Sequence, residues 1–268
     1  MTARSTAPGS TLLCPDDPPA CGVENAGGGA AILFASDHSG RAVPRRLGAL
    51  GLDEAEMARH IGHDIGIYGV TSRLARNLDA TYIFQPYSRL VIDCNRRPGM
   101  PQSIPQSSDG TPVPGNADLS EADIFARESE ILHPYQTAID QALHLRQTAG
   151  RQTALFAMHS CTDLLRSDPR PRPWQICVIA HRDWRVATAL IDVLRAETDL
   201  NVGVNEPYTV NMAMDYTVPI HCEAKGLPYV EIEIRQDLIG DAAGQTVWAN
   251  LLTPLLPMAL ARSGIVAP

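Results

Sequence analysis

The chain of 268 residues is almost without lysine, because Lys225 is the only lysine among its 22 basic residues. Lysine-based covalent chemistry, such as Schiff-base formation, is thereby excluded unless Lys225 itself takes part. Basic charge in general is scarce, since the formal net charge at pH 7 is -8. Non-specific nucleic-acid binding needs a basic face that displaces counterions. We therefore expect no nucleic-acid partner.

Long apolar runs are missing as well. No stretch approaches the ~20 residues that a helix needs to cross a bilayer, and the N-terminal segment lacks the apolar core of a secretory signal. The six cysteines contain no CxxC pair, which argues against a zinc knuckle or a thioredoxin-like redox site. These absences predict a protein of the reducing cytoplasm that has no membrane partner.

The composition changes once along the chain. Residues 1–28 are rich in Pro, Gly, Ala and Ser and end in glycines, which predicts a flexible N-terminal arm. Residues 29–268 are long enough to form a single domain with a full hydrophobic core. Within this domain, strand-like runs alternate with helix-like stretches. The pattern predicts an α/β fold in which a mixed, mainly parallel sheet is covered by helices on both faces.

The predicted elements follow from hydrophobic periodicity. Strands are predicted over residues 31–35, 81–84, 89–94, 154–158, 176–180, 201–204 and 229–234. Helices are predicted over residues 53–78, 120–147, 184–197 and 242–261, with a bend at Pro134 and a break at Pro254. Residues 98–120 are rich in proline and show no periodicity. A loop of this length inside a compact domain favours an active-site flap.

Polar residues follow the predicted strands, where ligands bind in parallel sheets. His38 comes after the first strand and His159 after a later one. A single histidine at such a place is more often a hydrogen-bonded structural residue than a ligand. Two histidines and a carboxylate at one sheet edge are instead typical of catalytic zinc. The third ligand lies within the predicted helix that follows, where Asp64 and His63 are the alternatives and Asp64 is preferred.

The segment Ser88–Arg97 carries Arg89, Asp93, Asn95 and Arg96 around a short apolar run. Because a guanidinium cannot lose its charge, its burial at a strand end calls for an anionic partner. The segment fits a pocket for a small carboxylate or phosphate, and it equally fits a surface strand with an internal Arg–Asp pair. Asp93 is interpreted as the residue that holds the arginines in place.

The last predicted strand carries two glutamates and an arginine on one face. Alternation of side chains places Glu231, Glu233 and Arg235 together. Beside a metal-activated water, Glu233 would accept a proton and pass it to a leaving nitrogen. A half-solvated strand explains the same alternation equally well, so this pattern alone leaves both interpretations open.

Taken in order, these residues resemble the N-formylglutamate amidohydrolase family over about residues 30–260. The matching motifs are His38-Ser39-Gly40, Asp64, Ser88–Arg96, His133-Pro134-Tyr135, His159-Ser160, Asn205–Tyr208 and Glu231–Glu233. That family is similar in fold to the zinc carboxypeptidases and to aspartoacylase. The resemblance therefore implies a three-layer sandwich of the phosphorylase/hydrolase type, with zinc at the ends of the strands.

The resemblance, taken with the strand-end pattern, implies a role for each candidate residue. The roles are zinc ligation for His38, Asp64 and His159, substrate binding for Arg89, Asn95, Arg96 and Tyr208, and general-base catalysis for Glu233 together with Arg235. In the relatives, an Asn-Arg pair that follows an Asp binds the substrate carboxylate.

The chain departs from the pattern of the relatives at two positions. The wider superfamily takes two zinc ligands from a His-x-x-Glu motif, but Arg41 stands three residues after His38. The carboxylate ligand must therefore come from elsewhere, which favours Asp64. Gln136 stands where a histidine is expected after Tyr135, and this predicts a different lining of the active site.

The expected activity is hydrolysis of an N-formyl or other N-acyl amino acid that depends on Zn²⁺ or another divalent transition metal. The resemblance favours N-formyl-L-glutamate as the small-molecule substrate, giving formate and L-glutamate in a route of histidine breakdown. One alternative is a zinc carboxypeptidase-like or peptidoglycan-peptide hydrolase, whose peptide the proline-rich flap would admit. Another is a non-catalytic protein that binds a carboxylate in the arginine pocket.

Overall fold

The computed structural model describes residues 11–265, and its framework is a seven-stranded sheet. The strands are β1 (Gly22–Glu24), β2 (Ile32–Ser36), β3 (Thr81–Phe84), β4 (Ser107–Ser108), β5 (Thr111–Pro112), β6 (Ala154–Cys161), β7 (Ile176–Ile179), β8 (Val202–Val204) and β9 (Tyr229–Arg235). Strands β4 and β5 form a separate antiparallel pair. The other strands form the main sheet in the order β1-β3-β2-β6-β9-β7-β8.

The main sheet is mixed and mainly parallel, as predicted. Strands β3, β2, β6 and β9 run parallel to one another, whereas β1 is antiparallel to β3 and β7 is antiparallel to β9. Strands β2, β6 and β9 lie side by side at the centre. Their carboxyl ends therefore meet at one edge of the sheet, although they come from distant parts of the chain.

Helices cover the sheet and bury its central strands completely. They are α1 (Glu54–Met57), α2 (Ile67–Asn77), α3 (Glu121–Arg127), α4 (His133–Thr148), α5 (Arg185–Glu197) and α6 (Ala242–Arg262). Helix α6 packs against α2 and α5, and α4 packs against β3. All eight residues of β6 are buried, which is the continuous burial expected of a strand covered on both faces. The predicted α/β sandwich is confirmed.

Two predicted helices are found with differences at their prolines. The Ser120 side chain and Asp123 form a capping box that begins α3. A π-helical turn over Glu128–Leu132 then leads into α4, whose second residue is Pro134. The predicted break at Pro254 is wrong, because α6 continues through it. Buried leucines on both sides of that proline hold the helix in the core, which outweighs the lost hydrogen bond.

The single helix predicted over residues 53–78 is wrong, because the chain forms α1 and α2 with turns between them. Gly66 precedes α2 with φ of 80°, a left-handed conformation that favours glycine. A Cβ atom at this position would also collide with the carbonyl oxygen of Ile239. His60, His63 and Asp64 consequently lie in turns and do not share a helix face.

The strand predicted over residues 89–94 is also wrong, because this segment is a series of buried turns. In a strand, the carbonyl groups of this segment would accept hydrogen bonds from a neighbouring strand. Here side chains donate to them instead. Asn116 donates to the carbonyl of Leu90 at 2.8 Å, and Arg127 donates to that of Val91 at 2.9 Å. The apolar run indicated burial correctly, but burial alone does not distinguish a strand from a turn.

Within the N-terminal arm predicted over residues 1–28, residues 11–28 contact the domain, whereas residues 1–10 lie outside the described residues. Leu12 is 2% exposed. The backbone amides of Leu12 and Leu13 donate to the carboxylate of Glu130 at 2.6 and 2.9 Å. Further along, β1 pairs with β3 at the edge of the sheet. Apolar contacts and hydrogen bonds thus attach this segment to the domain.

Within the described residues, no helix is both long and apolar enough to cross a membrane.

Replacement of Arg127 tests how the buried turns are held. Its guanidinium, 1% exposed, donates to Val91, to Asn116 Oδ1 at 2.7 Å and to Gly115 at 3.3 Å. Because Arg127→Met leaves these acceptors unsatisfied, we expect the free energy of unfolding in urea to fall by about 2–5 kcal/mol. Arg170→Met is the control, since this side chain is 86% exposed. A loss no larger than that of the control would contradict the assignment.

Candidate active site

Two imidazoles and one carboxylate converge at the carboxyl ends of the central strands. Oδ2 of Asp64 lies 3.0 Å from Nδ1 of His159 and 3.6 Å from Nδ1 of His38. The three candidate ligand atoms all lie within 4.8 Å of one another. All three residues are buried. The structure therefore brings together the three residues predicted to ligate zinc.

Local backbone structure explains why these residues meet. His38 follows β2, and His159 lies near the end of the neighbouring β6. Asp64 lies in the turn before α2, where its backbone amide donates to the carbonyl of His38 at 2.8 Å. The amide of Ser160 in turn donates to the Asp64 carboxylate at 3.3 Å. His63 belongs to the same turn but does not line the cavity described below.

The donor set fits a divalent metal such as zinc. Zinc binds imidazole nitrogen and carboxylate oxygen at about 2.0–2.2 Å in a tetrahedral arrangement, which places ligand atoms about 3.3 Å apart. The separations of 3.0 and 3.6 Å between Asp64 and the two histidines lie around this value. In addition, the buried Nδ1 of His38 has no hydrogen-bond partner among the described residues. The cluster can therefore hold a metal through these three side chains.

Each histidine has a carboxylate on its outer side. Nε2 of His38 lies 2.7 Å from Oδ1 of Asp93, and Nε2 of His159 lies 3.5 Å from Oδ2 of Asp37. Asp93 is also paired with Arg89 at 2.6 Å. Although burial opposes ionisation, the charges of Arg89 and His38 hold the pKa of Asp93 well below its usual range. Asp93 thus remains a carboxylate.

The two arginines of the predicted pocket have different partners. Arg89 bonds to Asp93 and reaches Asp64 at 3.4 Å. Arg96 pairs with Asp215. Asp93 therefore holds Arg89 in place, as interpreted from the sequence, whereas Asp215 holds Arg96. Asp215 was missed because it lies more than a hundred residues further along the chain.

The cluster forms one wall of a cavity of about 420 Å³. The lining includes His38, Asp64, His159, Arg89, Asn95, Arg96, Tyr208, Glu231 and Glu233. Asn95 is nine-tenths buried, and its Oδ1 accepts from the backbone amides of Tyr216 and Thr217 at 3.3 and 3.1 Å. Its amide nitrogen is thereby left for other acceptors. All of the predicted metal-ligating and substrate-binding residues line this one cavity.

Glu233 lies in the same cavity, opposite His159 in the register of β9 and β6. It is 5% exposed, and its Oε2 has no hydrogen-bond partner among the described residues. Burial raises the pKa of Glu233 to about 8. A carboxyl group whose pKa lies near neutrality suits general acid–base catalysis.

The sequence comparison agrees with this geometry. The sequence model of the N-formylglutamate amidohydrolase family matches residues 30–240. The chain belongs to the N-formylglutamate amidohydrolase family. It is therefore an amidohydrolase, as predicted. A search of curated protein sequences returned no significant match.

Solved structures of similar proteins support the same fold. The chain is similar to a gene product of Agrobacterium tumefaciens, with a TM-score of 0.89, 33% sequence identity, and coverage of 93% of this chain and 98% of that one. It is also similar to an N-formylglutamate amidohydrolase from Ralstonia eutropha JMP134, with a TM-score of 0.62 and 20% identity. That alignment covers 88% of this chain and 95% of the other. The N-formylglutamate amidohydrolase fold thus extends over nearly the whole chain.

Arg235 is the predicted catalytic residue that the structure places away from the cluster. Its guanidinium pairs with Asp237 at 2.7 Å and donates to the carbonyl of Arg172, and it does not line the cavity. Tyr208 lies at the rim, where it is 43% exposed. The tyrosine hydroxyl accepts from Arg172 at 3.0 Å, and the same guanidinium lies over the ring.

The expected change of active-site lining at Gln136 is wrong. Gln136 is buried behind the cavity and does not line it. Its amide nitrogen donates to the carbonyl of Cys94 at 2.7 Å and to Thr217 at 2.9 Å. Glutamine in place of histidine at this position therefore changes the hydrogen bonds behind the cavity that hold the site in place.

The proline-rich segment 98–120 lies beside the cavity. The hairpin of β4 and β5 carries Asp109, whose carboxylate accepts from Arg59 at 2.7 Å and from the amides of Arg166 and Ser167 at 3.1 and 2.9 Å. A second cavity, of about 310 Å³, is lined by this hairpin and shares Arg89, Arg96 and Tyr208 with the first. The segment thus extends the space in front of the arginines.

Proposed function

We propose that this protein hydrolyses N-formyl-L-glutamate to formate and L-glutamate, and that the reaction depends on zinc. The observation that carries the proposal is a single cavity that combines the cluster of His38, Asp64 and His159 with Glu233 and Arg96. Membership of the N-formylglutamate amidohydrolase family supports the choice of substrate.

The metal would be held by Nδ1 of His38, Oδ2 of Asp64 and Nδ1 of His159. A zinc ion bound there supplies Lewis-acid polarisation of the amide carbonyl and lowers the pKa of water. Three protein ligands leave a position open for water or substrate, which is the arrangement of catalytic zinc sites.

Arg96 and Asn95 would bind a carboxylate of the substrate. One nitrogen of Arg96 is paired with Asp215, so the rest of its planar guanidinium remains to meet a carboxylate. The amide nitrogen of Asn95 is free to donate, because the backbone amides of residues 216 and 217 occupy its oxygen. Tyr208 would close the rim. We assign Arg89 to holding Asp93 and Asp64, since all three of its side-chain nitrogens bond to them.

Glu233 would move the proton during hydrolysis. It accepts a proton from the water that attacks the formyl carbon, and it later delivers this proton to the amide nitrogen as the carbon–nitrogen bond breaks. The water oxygen remains on formate, and the nitrogen leaves as the amino group of glutamate. The burial that raises the pKa of Glu233 makes its carboxylate a stronger base than an exposed glutamate.

Hydrolysis of a peptide is a second candidate activity, favoured by the second cavity beneath the hairpin of β4 and β5. A substrate longer than an N-formyl amino acid would extend from Arg96 into this space. A non-catalytic binding protein is disfavoured because such a protein has no use for the buried glutamate at position 233.

Metal content and substrate range test the proposal together. We expect the purified protein to contain one zinc ion per chain by elemental analysis, and chelation to abolish amine release from N-formyl-L-glutamate. Zinc should restore the activity. N-formyl-L-glutamine, N-acetyl-L-glutamate and short peptides complete the substrate panel. Activity that survives complete metal removal would contradict zinc dependence, and faster cleavage of the peptides would establish the second candidate instead.

Replacement of Glu233 tests the proton transfer. In Glu233→Gln we expect kcat for N-formyl-L-glutamate to fall by about 10²- to 10⁴-fold, while KM and zinc content stay close to those of the unchanged protein. Glu197→Gln is the matched control, because this glutamate lies on the surface of α5 and pairs with Arg262. Unchanged turnover in Glu233→Gln would favour a protein that does not use this glutamate.

Replacement of Arg96 tests carboxylate binding. In Arg96→Ala we expect kcat/KM to fall by about 10- to 100-fold, mainly through KM, because a charge-assisted, planar contact with the substrate is lost. Arg96→Lys should recover only part of the loss, since lysine lacks the planar guanidinium. The exposed Arg170→Ala serves as the control. An unchanged KM in Arg96→Ala would remove Arg96 from the substrate site.

A further inference from the structure

A series of buried polar groups runs from His159 to His221. Oδ2 of Asp37 lies 3.5 Å from Nε2 of His159, and Oδ1 of Asp37 accepts from the Thr217 hydroxyl at 2.6 Å. Thr217 Oγ1 also lies 2.9 Å from Nε2 of Gln136, and Gln136 Oε1 lies 2.7 Å from Nε2 of His221. We call Asp37, Thr217, Gln136 and His221 the polar relay. All four residues are buried.

One backbone carbonyl sets the direction of every hydrogen bond in the polar relay. The carbonyl of Cys94 can only accept, and Gln136 Nε2 lies 2.7 Å from it. This nitrogen must therefore donate to both Cys94 and Thr217. Since Thr217 Oγ1 accepts from Gln136, the single hydroxyl proton of Thr217 is available for Asp37. Gln136 Oε1, on the opposite side of the amide, accepts the proton on Nε2 of His221.

The direction of these bonds, together with a bound zinc ion, indicates which nitrogen of His159 would carry a proton. Asp37 is an acceptor toward Thr217, and its other oxygen, Oδ2, has no further partner among the described residues. Nε2 of His159 faces this oxygen and likewise has no further partner there. When zinc takes the lone pair of Nδ1, the proton of the neutral imidazole resides on Nε2, which faces Oδ2 of Asp37. Nδ1 of His159 lies 3.0 Å from Oδ2 of Asp64 and would donate to it in the absence of a metal, whereas with zinc bound between them it would present its lone pair to the metal.

We propose that Asp37 is a positioning residue that fixes His159 as the Nε2–H tautomer, so that Nδ1 is the nitrogen that ligates zinc. Thr217 and Gln136 hold Asp37 in the orientation that this requires. The inference rests on the proposed zinc site. The carboxylate of Asp37 does not touch the substrate and does not ligate the metal.

Zinc affinity tests this role without a measurement of turnover. Loss of a carboxylate that contacts a metal-ligating histidine lowers metal affinity by about 10- to 100-fold. We therefore expect Asp37→Asn to raise the zinc dissociation constant by this factor in a chelator competition. Thr217→Val, which keeps the side-chain shape and loses the hydroxyl, should act in the same direction with a smaller effect. Thr217→Ser should restore the affinity. Asp168→Asn, in a surface pair with Arg170, is the matched control.

The tautomer itself can be observed. In the zinc-loaded, nitrogen-15-labelled protein, we expect long-range proton–nitrogen spectra to show His159 with a protonated Nε2 and a metal-bound Nδ1. The signals of His159 are identified by their loss in His159→Gln. In Thr217→Val we expect the Nε2 proton of His159 to shift or to exchange faster with water. Coordination through Nε2 would overturn the inference.

The outcomes separate this inference from the proposed function. A wild-type protein that binds no zinc would overturn the zinc-dependent function, and the role of Asp37 with it. Zinc binding by the wild type, with the same affinity in Asp37→Asn and Thr217→Val, would overturn only the role of Asp37. Circular dichroism shows whether Asp37→Asn is folded. If it is unfolded, the affinities of Thr217→Val and Thr217→Ser decide the matter.

Discussion

The buried carboxylate of Asp64 is the constraint on which the rest of the site depends. A charge away from water is costly unless charged and hydrogen-bonding partners surround it. Asp64 contacts His38, His159 and Arg89. Each of these three also contacts a further buried carboxylate, either Asp93 or Asp37. With neutral imidazoles, these three carboxylates face one guanidinium, so the cluster carries a net negative charge. An acidic, buried cluster favours a divalent cation, in agreement with the zinc site that we propose.

The sequence predicted the parts of the site that follow from strand order. Parallel strands align their carboxyl ends, so the alternation of strands and helices was enough to place the residues after β2 and those ending β6 at one edge. His38 and His159 were found in this way, and Asp64 was chosen because a neighbouring carboxylate was needed. The sheet itself was predicted for the same reason, since fully buried strands have a continuous apolar pattern.

The parts that could not be predicted depend on distant or irregular backbone. Asp215 and Thr217 reach the site from 119 and 180 residues away from Arg96 and Asp37, and no local pattern indicates such partners. The turns that carry Arg89 are as apolar as a strand, because side chains such as Arg127 satisfy their carbonyls. Asp37 was overlooked because it precedes a more conspicuous histidine, and Gln136 was assigned to the lining because no local pattern shows that its contacts lie behind the cavity.

The attachment of residues 11–28 has a consequence for synthesis of the chain on the ribosome. Leu12 bonds to Glu130, and the carbonyls of Pro18 and Ala20 accept from Tyr87 and Gln85. This segment therefore leaves the ribosome well before the residues that it contacts. It can attach to the domain only after those residues have been made. The centre of the sheet forms later still, because β6 can pair with β9 only after residues 229–235 have been made. The nascent polypeptide thus has no complete active site until Glu233 has been made and β9 has paired with β6.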